Sequence, residues 1–215
     1  MIPTLNAILS TPGDYDGINY PDFATYLGAM ACAARNSFSH MTNRQLFLGT
    51  LIDDAVTSAM LRFFPNVFRR SNNNDPNQCD IVHISGGNDY PISFKHSSRF
   101  NGIGRTDLWF CLRWGTNPLP TGYQADCDIL VFLSTQVPIN HLDEPDLEAG
   151  FYFSSQTAIN KQITQRGFLN NNRTISGFSF LHLRDEFRNP TNQYVLGSHP
   201  QLNSATSRLD YGLTL

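Results

Sequence analysis

The sequence predicts an α/β fold, in the broader α+β sense of a mixed central β-sheet flanked by helices. Helical patterns come first, the pattern changes to extended segments at Cys79, and a further short helix lies among the strands near residue 160. A continuous apolar run at 127–134 (CDILVFLS) is typical of a strand that is covered on both faces. Elements in this order favour helices packed around a mixed sheet.

Length and composition favour a single domain at 1–215. The chain is 40% hydrophobic and has 16 Phe, which is enough for a substantial core. Prolines and turn formers predict an irregular arm at 1–20, within an arm-and-helix region of about 1–65. The lack of a clear period predicts an irregular C-terminal tail at 184–215.

Two helices are predicted before the strands. The alanine-rich segment 22–36 follows Pro21, a residue that suits the first turn of a helix. A longer helix with an apolar stripe of 3.6-residue period follows and ends before Pro65. Its polar face carries Asp53 and Asp54.

The remaining elements are mostly extended. We expect a hairpin from Cys79 onwards, strands at 106–114, 127–134, 149–155 and 175–183, and a short helix at 155–168.

Lys95 is the most informative side chain of the hairpin, because it is one of only two lysines among the 15 Lys and Arg residues. An alternation of period two places Ser93 and Lys95 on one face of a strand, opposite the apolar side chains. A lysine and a serine that share one strand face, near an aspartate, are unusual for a simple solvated surface. This cluster therefore indicates a functional site.

The loop length of the hairpin decides which residue faces Asp80. The GGN segment at 86–88 predicts the turn. With a loop of about four residues, Ser85 pairs with Tyr90 and Asp80 falls opposite Lys95. The structural alternative is a cross-strand ion pair at a sheet edge, which contributes less than about 1 kcal/mol when exposed.

The order of these elements adds a family resemblance. An amphipathic helix with an acidic spot precedes Asp80, and a hairpin connects Asp80 to Lys95, fifteen residues later. This arrangement resembles the core of the PD-(D/E)xK nuclease superfamily, in particular the type II restriction endonucleases. The match covers about residues 44–134, and it implies a restriction-endonuclease-like core at about 44–183.

The chain departs from the family pattern at two positions. Cys79 stands where the family has proline, and Ser93 stands where it usually has Asp or Glu. Some restriction enzymes share the S-x-K substitution and take the missing carboxylate from about a dozen residues downstream. Asp107 matches that position, whereas Asp53 or Asp54 matches the acidic residue of the family's first core helix.

The resemblance implies a sequence-specific endonuclease of restriction type that hydrolyses double-stranded DNA with Mg²⁺, an ion that prefers carboxylate oxygens. Its metal ligands would be Asp80 and a second carboxylate from Asp107, Asp53 or Asp54. Lys95 would orient or help to deprotonate the attacking water and stabilise charge on the phosphate. Ser93 cannot ligate as a carboxylate would, but it can hydrogen-bond a water that the ion carries.

Two segments are candidates for contact with DNA. The glycine-broken segment after Lys95 carries Arg99, Asn101 and Arg105, whose side chains suit phosphates and base edges. The second segment offers Lys161, Arg166, Asn171 and Arg173. An ordinary surface loop and an Asn-rich turn are the alternatives. Because the net charge is -3, DNA binding would have to come from a local cleft.

Partners and compartment follow from the resemblance and from what the sequence lacks. The family resemblance implies a homodimer that acts on a palindromic site. No apolar run of about 18 residues and no secretory leader is visible, and the four cysteines lack zinc-site spacing. We therefore expect a cytoplasmic protein without a membrane segment. The rival functions are another nuclease of the same core, for repair or recombination, and a non-catalytic β-rich binding or structural protein.

Overall fold

The computed structural model describes residues 3–37, 44–76, 79–97, 109–114, 124–133, 150–166, 169–172, 175–179, 186–187 and 189–195. Within these residues the helices are α1 (Pro3–Leu9), α2 (Phe23–Ser37), α3 (Arg44–Phe63) and α4 (Gln156–Arg166). The strands are β1 (Gly13–Tyr15), β2 (Ile18–Tyr20), β3 (Phe68–Arg70), β4 (Ile81–Ser85), β5 (Asn88–Ser97), β6 (Trp109–Trp114), β7 (Asp128–Leu133), β8 (Gly150–Ser154), β9 (Leu169–Asn172), β10 (Ile175–Ser179) and β11 (Gln193–Val195).

The central sheet has six strands in the order β11-β8-β7-β5-β4-β3. β5 and β7 are parallel, and the other neighbouring pairs of this sheet are antiparallel. Apolar side chains from α1, α2 and α3 share one core cluster with Ile92 and Phe94 of β5 and Leu130 of β7. The predicted mixed sheet with flanking helices is confirmed. In the described part of the chain, no helix is long and apolar enough to cross a membrane.

Strand β7 is covered on both faces. Each of its four central residues is at most 2% exposed: Ile129, Leu130, Val131 and Phe132. Because neither face meets water, the strand needs no polar alternation, which explains its continuous apolar sequence. The prediction of a doubly covered strand is confirmed, and its parallel neighbour is the strand that carries Lys95.

A second sheet contains three strands in the order β6-β10-β9. The predicted strands at 106–114 and 175–183 are described over Trp109–Trp114 and Ile175–Ser179, and both lie in this sheet. The Asn-rich segment Leu169–Asn172, for which a turn was the alternative, is a strand. Periodicity predicted the strands but not their division between two sheets, because strand pairing depends on long-range contacts.

The prediction of an irregular arm at 1–20 is wrong over the described residues 3–20. These residues form α1 and the hairpin β1–β2, and Leu5 and Leu9 are fully buried. The ring of Tyr15 lies 5.0 Å from that of Tyr26 on α2. Elements this short are stabilised by burial against α2 rather than by local periodicity, which is why no pattern indicated them.

Both predicted N-terminal helices are confirmed. The Asp22 side chain accepts a hydrogen bond from the backbone N–H of Thr25 at 2.7 Å, so Asp22 caps α2 and Pro21 lies just outside it. α3 ends at Phe63, two residues before Pro65. The stripe of α3 is buried as its period predicts: Ile52, Val56, Ala59 and Met60.

The prediction of an irregular tail at 184–215 is wrong over the described residues 186–187 and 189–195. Gln193–Val195 forms β11, which pairs with β8 at the edge of the central sheet. Phe187 is fully buried, with its ring 5.6 Å from that of Tyr152. Three-residue strands carry too few positions to show a period, so only the tertiary contacts reveal this one.

His83 of β4 is a fully buried titratable group. Its Nε2 lies 3.4 Å from Thr4 Oγ1, and its Nδ1 has no hydrogen-bond partner. Burial lowers the pKa of His83 below its usual value of 6.5. The folded protein therefore holds this imidazole neutral at a pH at which the unfolded chain already protonates it.

We expect acid to weaken the fold through His83. As the pH falls below about 6.5, the unfolded state binds a proton that the folded state refuses, so the free energy of unfolding decreases until the lower folded pKa is reached. Between pH 7.5 and 5.5 the wild type should lose more of its free energy of unfolding than His83→Phe, measured by urea denaturation. Equal losses in both proteins would contradict this role.

Candidate active site

The hairpin β4–β5 turns at Gly86 and Gly87, whose φ angles are 59° and 78°. Two consecutive left-handed residues form a two-residue hairpin loop, which glycine adopts without strain. Ser85 therefore pairs with Asn88, and the expected pairing of Ser85 with Tyr90 is wrong.

The shorter loop moves the partner of Asp80 by two positions. Ile81 pairs with Ile92, so the next position along the ladder places Asp80 opposite Ser93 rather than Lys95. A shift of two residues keeps every side chain on its own face, whereas a shift of one would have reversed them. Asp80, Ser93 and Lys95 therefore still lie together.

The Asp80 carboxylate ends the β4–β5 ladder. Its Oδ2 accepts hydrogen bonds from Ser93 Oγ at 3.2 Å and from the backbone N–H of Phe94 at 2.7 Å. In a continued antiparallel ladder, a main-chain carbonyl would accept from that N–H. The Phe94 donor was absent from the sequence-based prediction, because no side-chain pattern indicates a main-chain group.

Lys95 completes this cluster from the interior of the sheet. Its Nζ lies 3.8 Å from Asp80 Oδ2, which is an ion-pair distance but longer than a hydrogen bond. In the sheet register Lys95 is level with Val131, which is fully buried, and the lysine side chain is only 18% exposed. An ammonium in such surroundings attracts an anion more strongly than one in open water.

Asp53 of α3 brings a second carboxyl group to these side chains. Burial raises the pKa of Asp53 to about 8; Lys95 opposes this effect, and the Asp80 and Asp54 carboxylates reinforce it. Asp53 Oδ1 is buried and has no hydrogen-bond partner. A buried carboxyl oxygen without a partner is costly, so Asp53 is a candidate for binding a ligand.

The two acids of α3 differ, although they are neighbours in the chain. Asp53 is largely buried and lies within electrostatic reach of Lys95 and Asp80, whereas Asp54 is exposed. Successive helical residues point about 100° apart, so only one of the two can face the sheet. Of the alternatives that the sequence left open on this helix, the structure gathers Asp53 into the cluster.

The side chains fit a hydrated divalent ion better than an ion that is enclosed by protein. Among the described residues, no three His, Cys, Asp or Glu side chains gather closely enough to hold a metal. Asp80 provides a carboxylate, and Asp53 provides a carboxyl group with a raised pKa, which a bound cation would have to deprotonate. Mg²⁺ commonly binds one or two carboxylates and fills its remaining positions with waters and substrate phosphate oxygens. A Mg²⁺ site at this place would use these two acidic side chains, with waters and a substrate phosphate as the other ligands.

Other predicted site residues lie elsewhere or outside the described residues. Lys161 is exposed on α4. Arg166 ends α4 and Asn171 lies in β9, but their side chains are outside the described part. The remaining candidates also fall outside it: Arg99, Asn101, Arg105, Asp107 and Arg173.

No protein-family model matches the chain, and no curated protein or solved structure is significantly similar to it. The function has to be inferred from the geometry of Asp53, Asp80, Ser93 and Lys95. We refer to these four residues as the acidic-lysine cluster.

Proposed function

We propose that the chain is a Mg²⁺-dependent endonuclease of restriction type that cleaves double-stranded DNA at a specific sequence. The observation that carries the proposal is the acidic-lysine cluster. The Asp80 carboxylate accepts a hydrogen bond from Ser93 and lies 3.8 Å from Lys95, one of the chain's two lysines, and both charges act on the carboxyl group of Asp53 on α3. An acidic helix, an aspartate and a hairpin that leads to lysine follow one another in the order that the PD-(D/E)xK resemblance implies.

The metal would be held by Asp80 and Asp53. When bound, such an ion supplies a more acidic water and neutralises charge on the scissile phosphate. The Phe94 N–H and the Ser93 hydroxyl both bind Asp80 Oδ2, so they fix the orientation of this carboxylate. Ser93 therefore acts as a positioning residue, in a place where the family usually has a third acid.

Lys95 would act on the phosphate and on the attacking water. Its ammonium is 3.8 Å from Asp80 Oδ2, which is too long for a hydrogen bond. The ammonium would therefore be free to contact a phosphate oxygen of a substrate that binds beside Asp80. A positive charge at this place stabilises the charge that develops on the phosphate in the transition state. It also favours a hydroxide-like water as the nucleophile.

DNA recognition and assembly are part of the same proposal. The candidates for contact with DNA remain the two segments around Arg99–Arg105 and Lys161–Arg173. A homodimer would place two such clusters on the two strands of a palindrome, which is the arrangement that double-strand cleavage requires.

Plasmid and phage DNA, incubated with the full chain and Mg²⁺, test the proposal. We expect discrete fragments with Mg²⁺ and none with a chelator. Asp80→Asn keeps an acceptor for Phe94 but loses the charge, so cleavage should fall at least about 100-fold. Asp14→Asn, at an exposed position of β1, is the matched control and should cleave normally.

Three other outcomes would change the conclusion. A smear of fragments that needs Mg²⁺ and Asp80 would favour a nuclease for repair or recombination. Fragments that persist in Asp80→Asn would come from a contaminant or another site. No cleavage of varied, unmodified DNA by a folded protein would overturn the nuclease proposal and favour a binding or structural role.

A further inference from the structure

Cys79 and Cys127 are free, buried thiols that lie in one cluster although they are 48 positions apart in the sequence. They pack with Val82 in this small cluster apart from the main core. Cys79 Sγ donates to the carbonyl of Ile81 at 3.2 Å, and Cys127 Sγ donates to the Asp126 carboxylate at 3.5 Å. The cluster brings together two thiols that are distant in the chain, which a disulfide requires.

The position of this pair connects it to the acidic-lysine cluster. Cys79 directly precedes Asp80, and Cys127 directly precedes β7. β5, which carries Ser93 and Lys95, lies between β4 and β7 in the sheet. A bond between the two sulfurs would therefore tie together the segments on both sides of β5.

The thiolate is the reactive form of cysteine. Because both thiols lie in the same cluster, either one can react first with an oxidant, and the other is then placed to complete the bond.

We propose that Cys79 and Cys127 are an oxidation-sensitive pair, and that their conversion to an intrachain disulfide by a peroxide displaces the Asp80 carboxylate. One of the two sulfurs, as its thiolate, attacks one peroxide oxygen, the O–O bond breaks, and a sulfenic acid forms. The other sulfur then attacks the sulfenic sulfur, and water leaves. With hydrogen peroxide, the two thiols give up two electrons and two protons, and the peroxide becomes two waters.

The bond would change the backbone beside Asp80. Cys79 Sγ now donates to the carbonyl of Ile81 at 3.2 Å, and a disulfide has no S–H to donate. The sulfurs must also approach from their packing contact to a bond of about 2.05 Å. Cys127 stands one residue before the buried strand β7, whereas Cys79 stands two residues before β4, with Asp80 between them. The movement therefore falls on Asp80, and the Phe94 N–H loses its acceptor.

Mass spectrometry of the full chain tests whether the disulfide forms, and amide NMR tests whether the Asp80 carboxylate is displaced. After treatment with hydrogen peroxide, we expect a loss of two hydrogens, about 2 Da, and a cross-linked peptide that joins Cys79 to Cys127. The Phe94 amide proton, now bound to a carboxylate, should move upfield on oxidation and return with dithiothreitol. Cys127→Ala should give neither change, because no second thiol can complete the bond; Cys79→Ala replaces it if that variant does not fold.

A double variant, Cys32→Ala with Cys111→Ala, controls for the other two cysteines and should still form the cross-link. Failure to form a Cys79–Cys127 bond would overturn the inference, as would a bond that leaves the Phe94 amide unmoved. A further consequence, an at least tenfold loss of DNA cleavage on oxidation, rests on the proposed function. If the reduced protein cleaves no DNA, but peroxide still produces the cross-link and the amide shift, the nuclease proposal is refuted. The proposal of a redox pair is then retained.

Discussion

Asp53→Asn should make the protein more stable and abolish DNA cleavage. The wild-type carboxyl is buried with an unpartnered oxygen and a pKa of about 8, so the fold resists its charge. Asparagine has nearly the same shape and carries no charge to bury. At pH 8 we expect the variant to gain at least about 2 kcal/mol in the free energy of unfolding, measured by urea denaturation.

The gain should depend on pH in a defined direction. The folded pKa of Asp53 lies above the unfolded value near 3.8, so between about pH 4 and 8 the folded state holds a proton that the unfolded state has released. The wild type therefore loses stability as the pH rises through this window, whereas asparagine does not titrate. The difference between the two proteins should be smallest near pH 4 and level off above pH 8.

Asp54→Asn is the matched comparison on the same helix. Asp54 is exposed, so its replacement should change the free energy of unfolding by less than about 0.5 kcal/mol and reduce cleavage far less. If Asp53→Asn destabilises the protein, the carboxylate makes favourable contacts in the fold and is not held for a ligand. If the variant is stabilised and still cleaves DNA, Asp53 has no part in the site.

Lys95→Met should lose at least about 100-fold in cleavage rate while the protein stays folded. Methionine keeps the length of the apolar stem beside Val131 but removes the ammonium. Because Asp80 retains Ser93 and Phe94 as donors, the carboxylate should keep its place. Mn²⁺ affinity, measured by calorimetry as a substitute for Mg²⁺, should not weaken, since a nearby positive charge has been removed.

Two further variants separate the charge of Lys95 from its shape. Lys95→Arg keeps the charge but replaces a compact ammonium with a planar fork, so we expect partial activity. Arg70→Ala removes a positive charge from an exposed position of β3 and should leave cleavage unchanged. Wild-type cleavage by Lys95→Met would reduce the Lys95–Asp80 contact to a structural ion pair.

Local patterns predicted the elements that have enough residues to show a period. The buried stripe of α3 and the continuous apolar run of β7 were both readable, because burial repeats along a long element. α1, the hairpin β1–β2 and β11 were missed, since they have three to seven residues each and are stabilised by packing. The same limit explains the error in the hairpin loop, where the left-handed φ angles of Gly86 and Gly87 fixed a two-residue turn.

The sequence by itself determined only that Ser93 and Lys95 share one face of a strand; it predicted that Asp80 joins them, and that prediction held because the register differs from the expected one by an even number of residues. Only the tertiary structure decided the rest of the site. It selected Asp53 over Asp54, because the rotation of α3 depends on how its apolar stripe packs against the sheet. It also brought Cys79 against Cys127, because such contacts arise from the packing of strands that are distant in the chain and leave no local pattern.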